Sequence, residues 1–394
     1  MSAMSSPAPS GPGPRPAAGH REGAEISPVE LIFDLVFVFA VSQLSQHLRQ
    51  ELNWRGAGET AVLLAAVFSV WAYTTFEATL IRVGRRHTQW VLLAVMWVGL
   101  FMNAAISRAF TTDPWAFVVP FLAIQLGRPI WTIATAPEEL RTHYVAMLGW
   151  LTVSAPLWIV GAATGSTWRL LWWAIAASLD MIGTWLAHPV PGRILRSENI
   201  EFDAAHLIER CRLFLIIALG EVVVTTGTAI AHQTSQPMTW LTGSCALLIM
   251  LALWALYFAG SDHLVNRHVE HTTDPILAGR LTLTSESLVV AGLIALAVGS
   301  QLVIMHPRGD TPASLSLLLF GGPFLYLLVQ TAYLWLVTHN RTLVRPAGLV
   351  ALVLGGWVSV ALPAYAAIAM VAAIASALVG AVSWENQARR PSPV

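Results

Sequence analysis

The sequence contains no lysine: all 22 basic residues among its 394 are arginine. A Schiff-base lysine and a phosphate-loop lysine are therefore excluded. Charge of either sign is scarce, at 11% of residues against about 25% in an ordinary soluble domain. The 22 bases balance 22 acids to a formal net charge of zero. That excludes a large basic face for nucleic acid and a highly charged disordered chain. Cysteine is nearly absent. Cys211 and Cys245 both lie in apolar runs, so no disulfide framework exists and both read as small buried hydrophobes. Residues 1–24 are rich in Pro, Ala, Ser and Gly and lack an apolar core. They read as a disordered tail and not as a signal peptide.

What the chain has in excess is apolar length. Hydrophobic residues reach 56%. Runs of about 18 or more such residues are long enough to cross about 30 Å of hydrocarbon as helices. Twelve candidates occur: 29–48, 58–80, 89–110, 115–134, 142–163, 167–187, 207–230, 238–259, 285–305, 313–338, 345–361 and 363–383. Backbone polar groups in hydrocarbon must be satisfied within the protein, so the predicted fold is an all-α integral membrane bundle of about twelve transmembrane helices. Arginines divide fourteen to five between the two sets of connections. The richer set includes both tails, which predicts an inner-membrane protein with both termini in the cytoplasm.

Trp150…Pro156 matches Trp357…Pro363, Pro120-Phe-Leu-Ala matches Pro323-Phe-Leu-Tyr, and Trp71-Ala-Tyr matches Trp254-Ala-Leu-Tyr. The order of the matches is kept along the chain. They predict a parallel repeat of two six-helix halves. The organisation is then a tail at 1–26, a first half at 27–205, a second half at 206–384 and a tail at 385–394.

Ionisable groups inside spans cost a few kcal/mol each and are functional candidates by default. The acids are Glu30, Asp34, Glu77, Asp180, Glu209, Glu221 and Glu286, and the bases are Arg128, Arg210 and Arg212, with His206 opening the seventh run. In the predicted topology all but Glu221 fall toward the cytoplasm, which describes a polar pocket open to that side. Glu30 and Asp34, at i and i+4, face one way. They either act as a general acid or cation pair or pair with Arg128 or Arg210 to fix helix packing. Gly220 beside Glu221 suggests a midplane acid at a close helix approach. His263, His268 and His271 with Asp262 and Glu270 lack a closed ligand set at a recognised spacing, so no metal is predicted. Of 17 tryptophans, Trp54, Trp90, Trp115, Trp168 and Trp240 sit at span ends as an interfacial belt. A subset of the others would suit an apolar or cationic ligand through ring faces.

Ser27-Pro-Val-Glu30-Leu-Ile-Phe-Asp34-Leu-Val-Phe-Val-Phe-Ala40-Val-Ser-Gln43-Leu resembles the N-terminal signature of the bacterial low temperature requirement A (LtrA) membrane proteins. Ala123-Ile-Gln125-Leu-Gly-Arg128, His206-Leu-Ile-Glu209-Arg210, Ile216-Ile-Ala-Leu-Gly220-Glu221, Trp254-Ala-Leu-Tyr257-Phe258 and Glu270-His271-Thr-Thr-Asp274-Pro275 extend the resemblance across residues 27–383. It implies a multi-pass bacterial membrane protein and adds Gln43 and Tyr257 to the binding candidates. The chain departs from the family pattern at Cys211-Arg212, at Ala259, and at Thr282, Thr284 and Glu286. These departures imply a divergent member with its own ligand or reaction.

Three readings follow. In the first, Asp34, Glu221 and Glu286 act as acids on a lipophilic small molecule, isoprenoid-like or lipid. Glu30, Gln43, Glu77, Arg128, Asp180, His206, Glu209, Arg210 and Tyr257 then bind it. The second is a proton- or cation-coupled transporter, and the third a cold- or stress-related structural membrane protein. The expected partners are membrane lipid and a lipophilic small molecule or ion. No nucleic acid and no cofactor is implied, and the sequence carries no signal of oligomeric state.

Overall fold

A computed structural model of the chain describes residues 26–81, 86–135, 138–186, 188, 203–233, 236–258, 275–338 and 343–388. Among them the regular structure is helical, with one isolated bridge between Asp310 and Pro363. In chain order the helices are α1 (Pro28–Gln50), α2 (Trp54–Ile81), α3 (Arg86–Ala104), α4 (Pro114–Thr135), α5 (Glu138–Ala163), α6 (Ser166–Trp185), α7 (Ala204–Ala231), α8 (Pro237–Phe258), α9 (Pro275–Met305), α10 (Ala313–Thr338), α11 (Val344–Ser359) and α12 (Ala364–Ala388). A 3-10 turn at Ile106–Arg108 follows α3. The tail at 1–25, the loop group Asp262, His263, His268, Glu270 and His271, and Ala259 lie outside the described residues. Residues 385–388, read from sequence as tail, are helical.

Ten of these helices are long and apolar enough to cross a membrane, against the twelve expected. The two that fall short have physical reasons. Helix α6 has 20 residues but carries Arg169, Asp180 and several hydroxyls, which lower its hydropathy. Helix α11 has 16 residues, about 24 Å at 1.5 Å per residue, less than the hydrocarbon thickness. The helix ends follow local chemistry. Ser27 caps α1 in a capping box, its Oγ accepting from Val29 N at 3.2 Å while Glu30 Oε2 accepts from Ser27 N at 2.9 Å. Asp203 Oδ1 caps α7 through His206 N at 3.0 Å.

Helix α1 lies against α2 and α3, α3 against α4, α4 against α5, α5 against α6, and α6 back against α2. In the later set α7 lies against α8 and α9, α9 against α10, α10 against α11, α11 against α12, and α12 back against α8. The two sets meet where α1 and α2 contact α7 and α9.

The buried interior forms two large clusters that follow this division in part, the first also taking in Cys211 and Phe214 of α7 and Val290, Ile294 and Val298 of α9. One cluster is aromatic, with Trp71, Trp158, Trp173, Phe117 and Phe121 fully buried. The Phe121–Trp158 and Trp158–Trp173 centroids lie 4.7 and 5.7 Å apart. The other cluster is mostly aliphatic and runs from Leu215 to Val382. There α9 and α10 approach so closely that a Cβ on Gly292 would sit 2.7 Å from Gly322 O, as small residues permit in membrane helices. The five span-end tryptophans are all exposed, as an interfacial belt requires. Trp97, Trp254, Trp335 and Trp357 are exposed within spans and line neither cavity described below, whereas Trp131, also exposed, borders the smaller one.

Candidate functional site

The first polar group joins α1, α2 and α7. Arg210, fully buried, donates from Nη2 to Asp34 Oδ1 at 2.8 Å, and its Nη1 lies 3.4 Å from Glu30 Oε1. His206 Nε2 is 3.1 Å from the same Glu30 oxygen. Trp71 Nε1 donates to Asp34 Oδ1 at 2.7 Å. Glu30 and Asp34 do face one way, and the partner they share is Arg210. This is the helix-fixing pairing that the i, i+4 spacing left open, and it ties the two sets of helices together.

The second group is built on α2 and α4. Arg128 Nη1 donates to Glu77 Oε2 at 2.9 Å, and Thr132 Oγ1 donates to Glu77 Oε1. The Arg128 guanidinium lies over the Tyr73 ring, 5.1 Å from its centroid. Its Nε and Nη2 are buried and have no hydrogen-bond acceptor among the described residues.

Beside Arg128 opens a cleft of about 160 Å³ between α2, α5, α6 and the start of α9. On α2 its wall is the stripe Ala65, Ser69, Ala72 and Phe76, spaced as one helical face. Met147 and Trp158 of α5 and Ala177 and Met181 of α6 continue the apolar lining. The polar lining includes Arg128, Tyr73, His143, Asp180, Thr184, His188 and Arg280. Asp180 Oδ2 accepts from Trp158 Nε1 at 3.1 Å. Arg280 Nη1 donates to Trp185 O at 2.9 Å.

Proton accounting fixes part of this wall. Thr184 Oγ1 donates to Asp180 O at 2.8 Å, which uses its one hydrogen. Tyr73 therefore donates to Thr184 Oγ1, and His188 Nε2 donates to the Tyr73 oxygen at 3.2 Å. His188 is thus assigned the Nε2–H tautomer, with Nδ1 a buried acceptor that has no partner among the described residues. Burial, then the nearby His143, Arg128 and Arg280, push its pKa down to about 3. Its φ of 52° is left-handed, uncommon outside glycine and a pointer to function. Its N–H closes the end of α6 on Gly183 O at 2.7 Å.

The remaining predicted residues lie apart. Glu221 is buried with Oε1 lacking a partner among the described residues, and Ser42 is its hydrogen-bonding neighbour. A Cβ on Gly220 would meet nothing within 4 Å, so no close helix approach occurs there. Glu286 is buried with Oε1 likewise unpartnered, and Cys211, Tyr257, Tyr326 and Tyr333 share its surroundings. Gln43 is half-buried. Glu209 is exposed and pairs with Arg212 at 3.1 Å. Asp34, Glu221 and Glu286 line neither the large cleft nor the smaller cavity beside Glu77, so the structure does not gather them at either.

Of the predicted set, Arg128 and Asp180 line the large cleft. Tyr73, His143, His188 and Arg280 were missed by sequence reasoning. The signal available for them was the run of small residues at helical spacing on α2. Also unforeseen was a group at the opposite end of the bundle, where Glu59 accepts from Arg55 Nε at 2.8 Å and lies 3.1 Å from His47 Nε2. Arg169 there donates to the carbonyls of Gly161, Ala109 and Thr164.

Comparison with known proteins agrees with the signature residues. The family described as bacterial low temperature requirement A protein (LtrA) matches residues 25–380. An uncharacterized protein of Rhizobium meliloti (strain 1021) is 30% identical over 306 residues, 76% of this chain and 74% of that protein. No solved structure matches. A family match over nearly the whole chain, on a bundle of ten membrane-length apolar helices, makes this multi-pass membrane protein a member of the LtrA family.

Proposed function

We propose that the protein binds a lipophilic small molecule in the cleft between α2, α5, α6 and α9. The observation that carries the reading is the cleft itself: about 160 Å³ bounded by Ala, Phe, Met and Trp side chains, with Arg128, Asp180, His143 and His188 converging on it. Ligand sites are mostly apolar with a few placed polar groups, which this lining matches. Asp180 is the carboxyl group on its wall and would be the acid of any reaction carried out there.

The topology proposed with it is twelve spans, α1–α12, in two parallel six-helix halves with both termini in the inner-membrane cytoplasmic space. The order of helix neighbours, repeated between α1–α6 and α7–α12, supports the repeat. The arginine asymmetry supports the orientation, and it makes the cleft open on the cytoplasmic side. The same repeat favours transport as the second reading, because parallel halves rock about a site between them.

The test is mass spectrometry of organic extracts from the purified chain and from Ala72→Phe, which fills the α2 wall. A lipophilic molecule carried by the wild type and missing from Ala72→Phe supports the reading. Identical extracts from both proteins would remove the cleft as the binding site.

A further inference from the structure

We infer that the ligand of this cleft carries a carboxylate, held by the Nε/Nη2 edge of Arg128. The inference rests on the cleft being the binding site and goes on to name the ligand's class. A guanidinium has two edges for an anion: the fork of its two terminal nitrogens, and the side formed by Nε–H and one Nη2–H. Arg128 uses Nη1 on Glu77 at 2.9 Å. The two nitrogens left without acceptors among the described residues, Nε and Nη2, are the pair that forms the side edge. That edge meets both oxygens of a carboxylate in parallel hydrogen bonds.

Arg128 is 4% exposed, so bulk water does not satisfy these donors. A buried donor left unmade costs about 1–3 kcal/mol, which is tolerated where a ligand supplies the acceptor. Arg128 borders the cleft, its two unpartnered nitrogens are covered there, and binding turns that edge toward the ligand. Glu77 already balances the charge of Arg128, and of the two other charged residues that line the cleft, Asp180 and Arg280, Arg280 is the one that offsets a carboxylate. The cleft volume is close to the about 150 Å³ cavity that admits a benzene-sized molecule. A chain of about six carbons fits within it beside Ala65, Ala72 and Met147, and a longer tail leaves through the open side.

The experiment titrates the full chain, in phosphatidylcholine nanodiscs, with hexanoate, methyl hexanoate and hexan-1-ol by calorimetry. Hexanoate is expected to bind at least tenfold tighter than the ester or the alcohol. Arg128→Lys keeps the charge, loses the planar fork and should erase that preference, with an unchanged melting temperature. The double variant Glu77→Gln/Arg128→Gln, which leaves no lone buried charge, should erase it too and covers a folding failure of the first. Equal binding of the three probes, no binding of hexanoate, or an unchanged preference in either variant overturns the carboxylate. Ala72→Phe separates the two claims. If it abolishes binding of ester and alcohol while acid preference is absent, the cleft stands and the carboxylate falls. If it changes none of the three affinities, the cleft falls.

Discussion

Arg210 and Arg128 are both almost wholly buried, and each donates to a carboxylate at 2.8–2.9 Å. Their surroundings differ. Arg210 sits between Asp34 and Glu30, with His206 on one acid and Trp71 on the other, and lines no described cavity. Arg128 has one acid, Glu77, and presents an unmet edge beside a cleft. Among the described residues each guanidinium leaves two buried nitrogens without a hydrogen-bond partner, Nε and Nη1 on Arg210 and Nε and Nη2 on Arg128, so the difference lies in the acids and the space beside them. Two acids with no described cavity beside them suit helix registry, and one acid with open volume beside it suits the ligand site proposed above. In the proposed reading the same residue types serve structure at one place and recognition at the other, and the number of acids and the open volume beside the guanidinium tell them apart.

The comparison breaks most visibly at Arg210. Arg210→Met leaves Glu30 and Asp34 without their shared cation, and an uncompensated buried charge costs about 3–5 kcal/mol. Unfolding in detergent should show that loss, and adding Glu30→Gln and Asp34→Asn should recover most of it. An unchanged midpoint for Arg210→Met alone would mean the pair does not hold α1 to α7. Arg128→Met should cost less, about 1–3 kcal/mol. Glu77 keeps Thr132 and borders a cavity of about 30 Å³, enough for a water. Equal losses for the two variants would erase the distinction.

The sequence made much of the fold legible. Apolar run length located the helices, and the mid-span acids and arginines located the buried charges, because both are local properties. Partners were not legible. Glu30 and Asp34 are 176 residues from His206 and Arg210, and Glu77 is 51 from Arg128. Spacing within one helix indicates which way a side chain faces and leaves open what faces it. Glu221 and Glu286 drew attention as buried acids, yet neither lines the cleft, although Thr284 and Ser287 beside Glu286 do. The cleft arises where small side chains leave space, which a search for charge does not detect.

Acid sensitivity sharpens the cleft side of the comparison at an intermediate scale. His188 is neutral in the folded protein, with its pKa depressed to about 3 from an ordinary 6.5. As pH falls below 6.5 the unfolded chain takes up a proton that the folded chain does not. Stability from this group is therefore full above 6.5 and is lost progressively toward pH 3. At about 1.4 kcal/mol per unit, the loss between pH 6.5 and 5 is about 2 kcal/mol. His188→Gln, whose amide can still donate to Tyr73, should flatten that part of the pH profile of unfolding. A profile as steep as the wild type's would show that His188 titrates normally.

The smallest expected effect on stability belongs to Ala72→Phe, and its smallness is the point. Ala72 is half-buried on the cleft wall, so a ring placed there enters existing space. Overpacking a filled core costs about 1–3 kcal/mol, whereas filling a cleft should change the unfolding midpoint by less than about 1 kcal/mol. Trp71 is one residue away and fully buried among Asp34, Phe68 and Phe214. Trp71→Phe removes the indole donor from Asp34, and hydrogen bonds to charged groups contribute about 1.5–3 kcal/mol. Two neighbouring positions on one helix should therefore separate cleanly. One should lose ligand without losing stability, and the other should lose stability without touching the cleft. If Ala72→Phe destabilises as much as Trp71→Phe, the space beside Arg128 is closed in the membrane, and the two arginines serve the same structural end.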